Sequence, residues 1–221
     1  MTKSEIRSFV KGLVRGISVE ERARFSEALK EEVVGLECWR SAKEVMLFFS
    51  LPDEVDMLPL IRAALAEQKR IYLPRVIATQ VSRGADVCEV AEGNTLAMGG
   101  TLPKKSTLPA GNTVSGEEMI LEVRELAPEQ LALGRWGIWE PTDEAPLLSD
   151  YSRLDLVVVP GVAFSSDGKR LGRGKSFYDR FLPLVPRAAF VGVCYPCQVV
   201  EQIPADPWDI GMDIVCCGEK R

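Results

Sequence analysis

The sequence predicts an α/β fold with a mainly parallel sheet, and three stretches predict it. Leu156-Val157-Val158-Val159 is a short, β-branched apolar run, the composition of a strand buried on both faces. Pro160-Gly161 stops it, a glycine-rich loop follows, and Phe177, Tyr178, Phe181 and Leu182 then recur on one face of a helix. Upstream, residues 44–50, holding Val45, Met46, Leu47, Phe48 and Phe49, read as a second buried strand. A helix from about 57 to 69 and a strand over 70–74 complete a βαβ unit, which requires parallel strands and a right-handed crossover.

The remaining elements fall in order around these. Ile6, Phe9, Val10, Leu13, Val14 and Ile17 mark a first amphipathic helix. Ser18 with Glu21 is a capping box that opens a second helix, ending near Gly35. Glycines and prolines punctuate residues 76–116, with strand-like fragments near 87–90, and this stretch reads as hairpin strands or a loop set into the domain. Residues 118–126 alternate as a strand. Trp136 and Trp139 sit in a glycine-rich turn ending at Pro141, with Trp139 expected in the core. Residues 188–193 form another strand before the closing segment from Pro207 to Val215.

At 221 residues the chain fits one domain. A chain of that length buries roughly 70% of its unfolded surface and needs no covalent staples. The net charge of −5 argues against general nucleic-acid affinity, so the basic loop at 169–175 is a local exception that favours a small anion. No apolar run approaches a membrane span and no signal peptide is apparent, so a cytoplasmic protein with reduced thiols is expected. Cys194-Tyr-Pro-Cys197 has the spacing of a redox pair, but it follows a strand and opens no helix, so ordinary half-buried cysteines are expected. There is no histidine. That excludes Ser-His-Asp and Cys-His catalysis and weakens any transition-metal reading.

The chemistry concentrates between Pro160 and Leu182. Gly168, Gly172 and Gly174 alternate with Lys169, Arg170, Arg173 and Lys175 just before a helix. Glycines let a backbone approach a ligand, a helix start offers free N–H groups, and cations beside them suit phosphate. A solvated surface loop has the same composition. Known phosphate loops do not fit. Gly174-Lys175-Ser176 supplies the end of a P-loop, but Lys169 stands where its first glycine belongs, and Gly172 and Gly174 are not followed by the third glycine of a dinucleotide loop.

The run PGVAFSSDGKRLGRGKSFYDRFL resembles the signature of the 5-formyltetrahydrofolate cyclo-ligase family, also called 5,10-methenyltetrahydrofolate synthetase. The match covers Pro160, Gly161, Phe164, Gly168, Arg170, Leu171, Gly172, Arg173, Gly174, Lys175, Tyr178 and Asp179. It departs at Ser165, at Ser176 (usually Gly) and at Phe177 (usually Tyr). The resemblance implies a three-layer, Rossmann-like domain over residues 1–221 with an insertion at about 76–116. It implies an enzyme of one-carbon metabolism that uses ATP and Mg²⁺ to convert 5-formyltetrahydrofolate to 5,10-methenyltetrahydrofolate. No nucleic-acid or membrane partner is expected, and the assembly is a monomer or weak homo-oligomer.

The resemblance also implies roles. Lys3 and Arg7 match an opening K-x-x-x-R that contacts ATP, and Arg170, Leu171, Gly172, Arg173, Gly174, Lys175, Ser176, Phe177 and Tyr178 form the ATP loop. Arg173 and Lys175 are the catalytic cations. Phe49, Glu54, Trp136, Arg173 and Phe177 face the folate, and Asp179 with Asp209 holds Mg²⁺. Without the resemblance, Lys3, Arg7, Lys11 and Arg15 read as a solvated helix face, and the acids at 53–56 as charges stabilising a helix start. A small-molecule kinase using the same loop, or a nucleotide- or folate-binding module without turnover, are the rival readings.

Overall fold

The computed structural model describes residues 1–80, 117–134 and 137–219. In chain order it contains α1 (Lys3–Arg15), α2 (Val19–Val34), α3 (Glu37–Ser41), β1 (Glu44–Met46), α4 (Leu58–Ala66), β2 (Arg70–Gln80), β3 (Glu117–Glu125), β4 (Leu131–Leu133), β5 (Trp139–Pro141), β6 (Leu156–Pro160), β7 (Ala163–Ser165), β8 (Arg170–Leu171), α5 (Phe177–Phe181), β9 (Ala189–Val193), β10 (Val199–Val200) and β11 (Ile214–Cys216). Among the described residues six strands make the central sheet, in the order β11-β9-β6-β1-β2-β3. All neighbours run parallel except β2 and β3. The mainly parallel α/β sheet flanked by helices is therefore borne out.

The two faces of the sheet are packed separately, as the period-2 alternation of strand side chains dictates. From β6, Leu156 and Val158 join a core built with α1, α2 and α4, where Ile6, Val10, Leu29, Val33 and Leu60 are buried. Val157 and Val159 point to the other face and pack with Met46, Tyr72, Phe164, Phe181 and Leu182. The ring of Phe164 packs against two glycines: a Cβ on Gly161 or Gly192 would lie 2.5 Å from it. Both helix starts carry complete capping boxes, Thr2 with Glu5 and Ser18 with Glu21.

Several boundaries differ from the sequence reading. β1 pairs only as far as Met46, and a single further bond runs from the Leu47 N–H to the Tyr72 carbonyl. Residues 47–50 leave the sheet and turn toward the site. β2 does not stop at Pro74 but runs to Gln80, pairing with β3 from Tyr72↔Glu125 to Gln80↔Glu117. Pro74 is tolerated because β1 pairs with β2 no further than Tyr72, so beyond it β2 has a free edge on that side. The start of the expected insertion, 76–80, is thus sheet, and the rest of it with its strand fragments at 87–90 lies outside the described residues. On α1, Phe9 and Leu13 are exposed, so its buried stripe narrows to Ile6, Val10 and Val14. Trp139, expected in the core, is 49% exposed: the β4–β5 hairpin turns its ring outward and buries Pro141 instead.

Candidate active site

The sheet has its topological switch between β6 and β1. From β1 the chain moves through α4 to β2 on one side, and from β6 through α5 to β9 on the other. Crossovers that depart in opposite directions leave a crevice beyond the carboxyl ends of the two strands, where ligands of such folds bind. A cavity of about 740 Å³ lies there, in the range of small-molecule sites. It is walled by Phe48, Phe49, Asp53 and Glu54 from after β1, by Pro74 and Arg75 from β2, and by Pro160, Gly161 and residues from 170 to 179 after β6. A smaller pocket of about 180 Å³ adjoins it, sharing Lys11, Asp53, Gly161 and Arg173 and adding Arg7 and Gln198.

The basic loop is held in place from both sides. At its tip, Gly168 has φ +85° and a Cβ there would lie 2.4 Å from the Met212 carbonyl, so only glycine permits the approach. Asp167, paired with Lys169 and Ser165, is held down to a pKa of about 2. Ser165 donates to Asp167 and accepts from the Lys169 N–H at 3.1 Å. Arg7 of α1 donates from Nε to the Gly172 carbonyl at 2.8 Å. Arg170 is buried, pairs with Asp179 at 2.6 Å, reaches the Pro160 carbonyl at 3.3 Å and stands 5.6 Å over the Tyr178 ring. Its Nε is buried with no acceptor among the described residues. Burial pushes the Tyr178 hydroxyl well above its ordinary pKa, so it stays protonated as a donor.

The two acids after β1 face the loop rather than the helix that follows them. Arg173 reaches Asp53 through Nη1 at 3.2 Å and Nη2 at 2.6 Å, and Glu54 through Nε at 3.2 Å and Nη2 at 3.0 Å. Helix α4 begins at Leu58, and the carboxylate at its start is that of Asp56, which accepts the Leu58 N–H at 3.0 Å. The helix-start reading of these acids therefore holds for Asp56 and fails for Asp53 and Glu54. Burial pushes Glu54 above the usual carboxylate range, although Arg173 and the Leu51 N–H oppose it. Burial acts in the same sense on Asp53, but there the Arg173 guanidinium wins and holds the pKa below the ordinary value.

Most residues expected at the site meet on one cavity. Phe49, Glu54, Arg170, Gly172, Arg173, Lys175, Ser176, Phe177, Tyr178 and Asp179 all line it. Gly174, with φ +88°, lies beside the Arg7 guanidinium, 3.8 Å from where its Cβ would be. The Leu171 side chain is buried in the core, leaving backbone groups to a ligand, and its carbonyl accepts the Val162 N–H. Lys3 and Asp209 do not line the cavity. They pair with each other at 2.5 Å, and Lys3 also binds Asp206 at 2.7 Å. Trp136 lies outside the described residues. Ser176 has φ +52° and makes no side-chain cap bond to α5, so it carries the strain of a left-handed residue without the benefit of an N-cap.

The sequence reading missed Asp53, Arg75 and Glu140. Arg75 is clamped by Glu122 at 2.9 Å, Asp143 and the Pro141 carbonyl at 3.2 Å, which fastens the wall carrying Glu140 to β2. Glu140 lines the cavity, and burial raises the pKa of its carboxyl. Only pairing across the fold singles out these residues.

Mg²⁺ favours oxygen donors and often keeps most of its shell as water and substrate phosphate, so one or two carboxylates suffice. Asp179 meets that requirement on the cavity wall. Asp209 is a hard oxygen donor too, but it sits outside the wall in the Lys3 pair. Among the described residues no cluster of three or more acidic, cysteine or histidine side chains forms a cage for a metal. No helix of the described residues is long and apolar enough to cross a membrane.

A mainly parallel α/β sheet with a strand, basic loop and helix at its switch point defines an α/β fold with a small-molecule-sized cavity at the switch. The comparisons make the assignment specific: residues 1–218 match the model of the 5-formyltetrahydrofolate cyclo-ligase family, and the chain belongs to that family of ligases. It is 25% identical over 218 residues to the Haemophilus influenzae 5-formyltetrahydrofolate cyclo-ligase, covering 98% of this chain and 97% of that one. It is 29% identical over 181 residues to the Escherichia coli K12 enzyme of the same name, covering 81% and 80%. The solved structure of Aquifex aeolicus 5,10-methenyltetrahydrofolate synthetase superposes with a TM-score of 0.71 at 31% identity, covering all of this chain and 91% of that one.

Proposed function

We propose that this enzyme closes the five-membered ring of 5-formyltetrahydrofolate, giving 5,10-methenyltetrahydrofolate, with ATP consumed to ADP and phosphate. One observation carries the reading: Glu54 and the basic loop, 119 residues apart at the Arg173–Glu54 contact, face the same cavity. A carboxylate accepts paired hydrogen bonds from an aminopyrimidine edge, and the loop offers cations and backbone to a triphosphate.

The amide oxygen of a formyl group is a poor leaving group. Transfer of the γ-phosphoryl of ATP to that oxygen makes it a good one and releases ADP. N10 then adds to the formyl carbon and loses its proton, and the carbon–oxygen bond breaks to release phosphate. Such a reaction asks a protein for positioning and charge neutralisation rather than covalent chemistry. Of the residues on the cavity wall, Arg173 and Lys175 would neutralise the moving phosphoryl, Arg170 and the Gly172 backbone would cradle the phosphates, and Phe49 and Phe177 would hold the pterin ring. Mg²⁺, held through Asp179 and with Asp209 as a second candidate, would offset phosphate charge. No step needs a histidine.

The test is purified protein with ATP, Mg²⁺ and 5-formyltetrahydrofolate, watched for methenyl absorbance and free phosphate in equal amounts. A stable phosphorylated product would mark a kinase instead. Binding of both ligands without either product would mark a module without turnover.

A further inference from the structure

Arg173 lies at the centre of an arrangement that the two-substrate reading does not by itself require. Its guanidinium spans the cavity and is bidentate on Asp53, at 2.6 and 3.2 Å, while also sharing the Glu54 carboxylate at 3.0 and 3.2 Å. The loop cation that would serve a triphosphate is thereby parked on the carboxylate that would serve a pterin. Glu54 is nearly buried, its side chain 9% exposed, whereas Asp53 and Arg173 are 34% and 41% exposed. The outer pair can therefore break toward solvent, and Glu54, left bare in the wall, then takes a ligand's donors in place of Arg173.

From this geometry we propose that Asp53 is a positioning residue that latches Arg173 over Glu54, and that release of the latch by one substrate makes room for the other. The proposal rests on the ATP and folate reading of the cavity. In the latched state Glu54 cannot offer both oxygens to an aminopyrimidine, because Arg173 holds Oε1 and the Leu51 N–H holds Oε2. In the unlatched state Arg173 faces its own loop, beside Lys175. Triphosphate favours the unlatched state because it offers Arg173 more negative charge than Asp53 does. Folate favours it because it needs Glu54 bare. Two ligands that select the same state raise each other's affinity by the same factor, and the affinity of each alone is reduced to the fraction of molecules that are unlatched.

Asp53 is the residue that reveals the device. It lies on the wall but is not required to touch either substrate, and it adds two of the four hydrogen bonds that hold Arg173 across the cavity. Asp53→Asn keeps the shape, removes the charge and leaves Glu54 and Arg173 in place. The partial exposure of the pair limits its strength through screening, so the expected coupling is at the low end of the usual range, about fivefold.

The experiment is calorimetric titration of the whole protein with a non-hydrolysable ATP analogue plus Mg²⁺, and with 5-formyltetrahydrofolate, each alone and each in the presence of the other. The wild type is expected to show each ligand tightening the other about fivefold. In Asp53→Asn each ligand alone is expected to bind several-fold tighter, with the affinities of the ternary complex unchanged and the coupling factor closer to one. A structural role for Asp53 would lower thermal stability and weaken both ligands without changing their coupling, so that outcome overturns the proposal. So does a wild-type coupling factor of one, or the same factor in both proteins. Failure of the wild type to bind either ligand would bring down the substrate reading itself, and the latch with it.

Discussion

Ser176 shows what a single substitution in a dense motif costs. It sits at φ +52° and ψ +24°, a left-handed conformation, directly before α5. Outside glycine that conformation costs roughly 1–2 kcal/mol. A serine at a helix start ordinarily recovers part of such a cost by capping, but this one makes no cap bond. Ser176→Gly is therefore expected to stabilise the fold by about 1 kcal/mol after allowing for glycine's entropy in the unfolded chain. That corresponds to about 2–4 °C in Tm for a chain of this size, and thermal unfolding monitored by circular dichroism reads it directly. An unchanged or lower Tm would mean the backbone relaxes on substitution. The strain was legible in the sequence as a conditional: a serine in a glycine position is strained only if the backbone turns left-handed there. That Glu54 belongs among the cavity residues was expected too, through the family resemblance. Its partner was not, because the Arg173–Asp53 bond joins residues 120 positions apart and no local pattern encodes that pairing.

Local signals served the elements well where an element is local. The capping box of Ser18 with Glu21 placed the start of α2 to the residue, because the residues that satisfy the first free N–H groups are adjacent in sequence, whereas the matching Thr2–Glu5 box of α1 is seen only in the structure. Strand ends fared worse. β1 stops at Met46 and β2 continues through Pro74 to Gln80, since strand length is fixed by what lies alongside rather than by propensity. The outward Trp139 has the same origin: composition marks a tryptophan as core, and a two-stranded hairpin beside the sheet decides otherwise. The basic loop and α5 act as one element in the proposed chemistry, and Lys175 tests it. Lys175 is exposed on the cavity wall, so its loss should not disturb the fold. Lys175→Met is expected to lower kcat by roughly two to four orders of magnitude, the scale seen when a preorganised charge leaves a transferring group, with Tm unchanged. Near-normal turnover would reduce it to a solvated surface cation.

For the whole molecule, the decisive fact is that the cavity is assembled from segments spread along most of the described chain, from Lys11 on α1 to Asp179 on α5. Its walls exist only when the sheet order is complete, and both sides of the sheet switch contribute. Ligands that bind such a site bind the folded state alone. Saturation at about a hundred times Kd is then expected to add about 2.7 kcal/mol to stability, or roughly 5–10 °C in Tm. Thermal shift with Mg²⁺-ATP and 5-formyltetrahydrofolate measures this, and absence of any shift with either ligand at saturating concentration would argue against the cavity as their site. The sheet class and the side of the sheet that carries the site were both readable from the βαβ pattern. The identity of the far wall, with Arg75 and Glu140, was not, because it is brought in by the antiparallel β2–β3 pairing and the turn after β5.

The packing of Phe164 between Gly161 and Gly192 bears on how this chain can change over generations. The ring fills the space a side chain would need at either glycine, and it does so just where β6 gives way to the loop. None of the three carries a side-chain donor or acceptor for a phosphate or a pterin, although Gly161 forms part of the cavity wall. A larger residue at Gly192 requires a smaller one at 164, and a smaller one at 164 leaves a void beneath the loop unless a glycine elsewhere fills in. Substitutions at these three positions are therefore expected to be tolerated only in matched sets. Part of what makes the loop's signature recognisable is thus a constraint of volume that stands apart from the loop's cations.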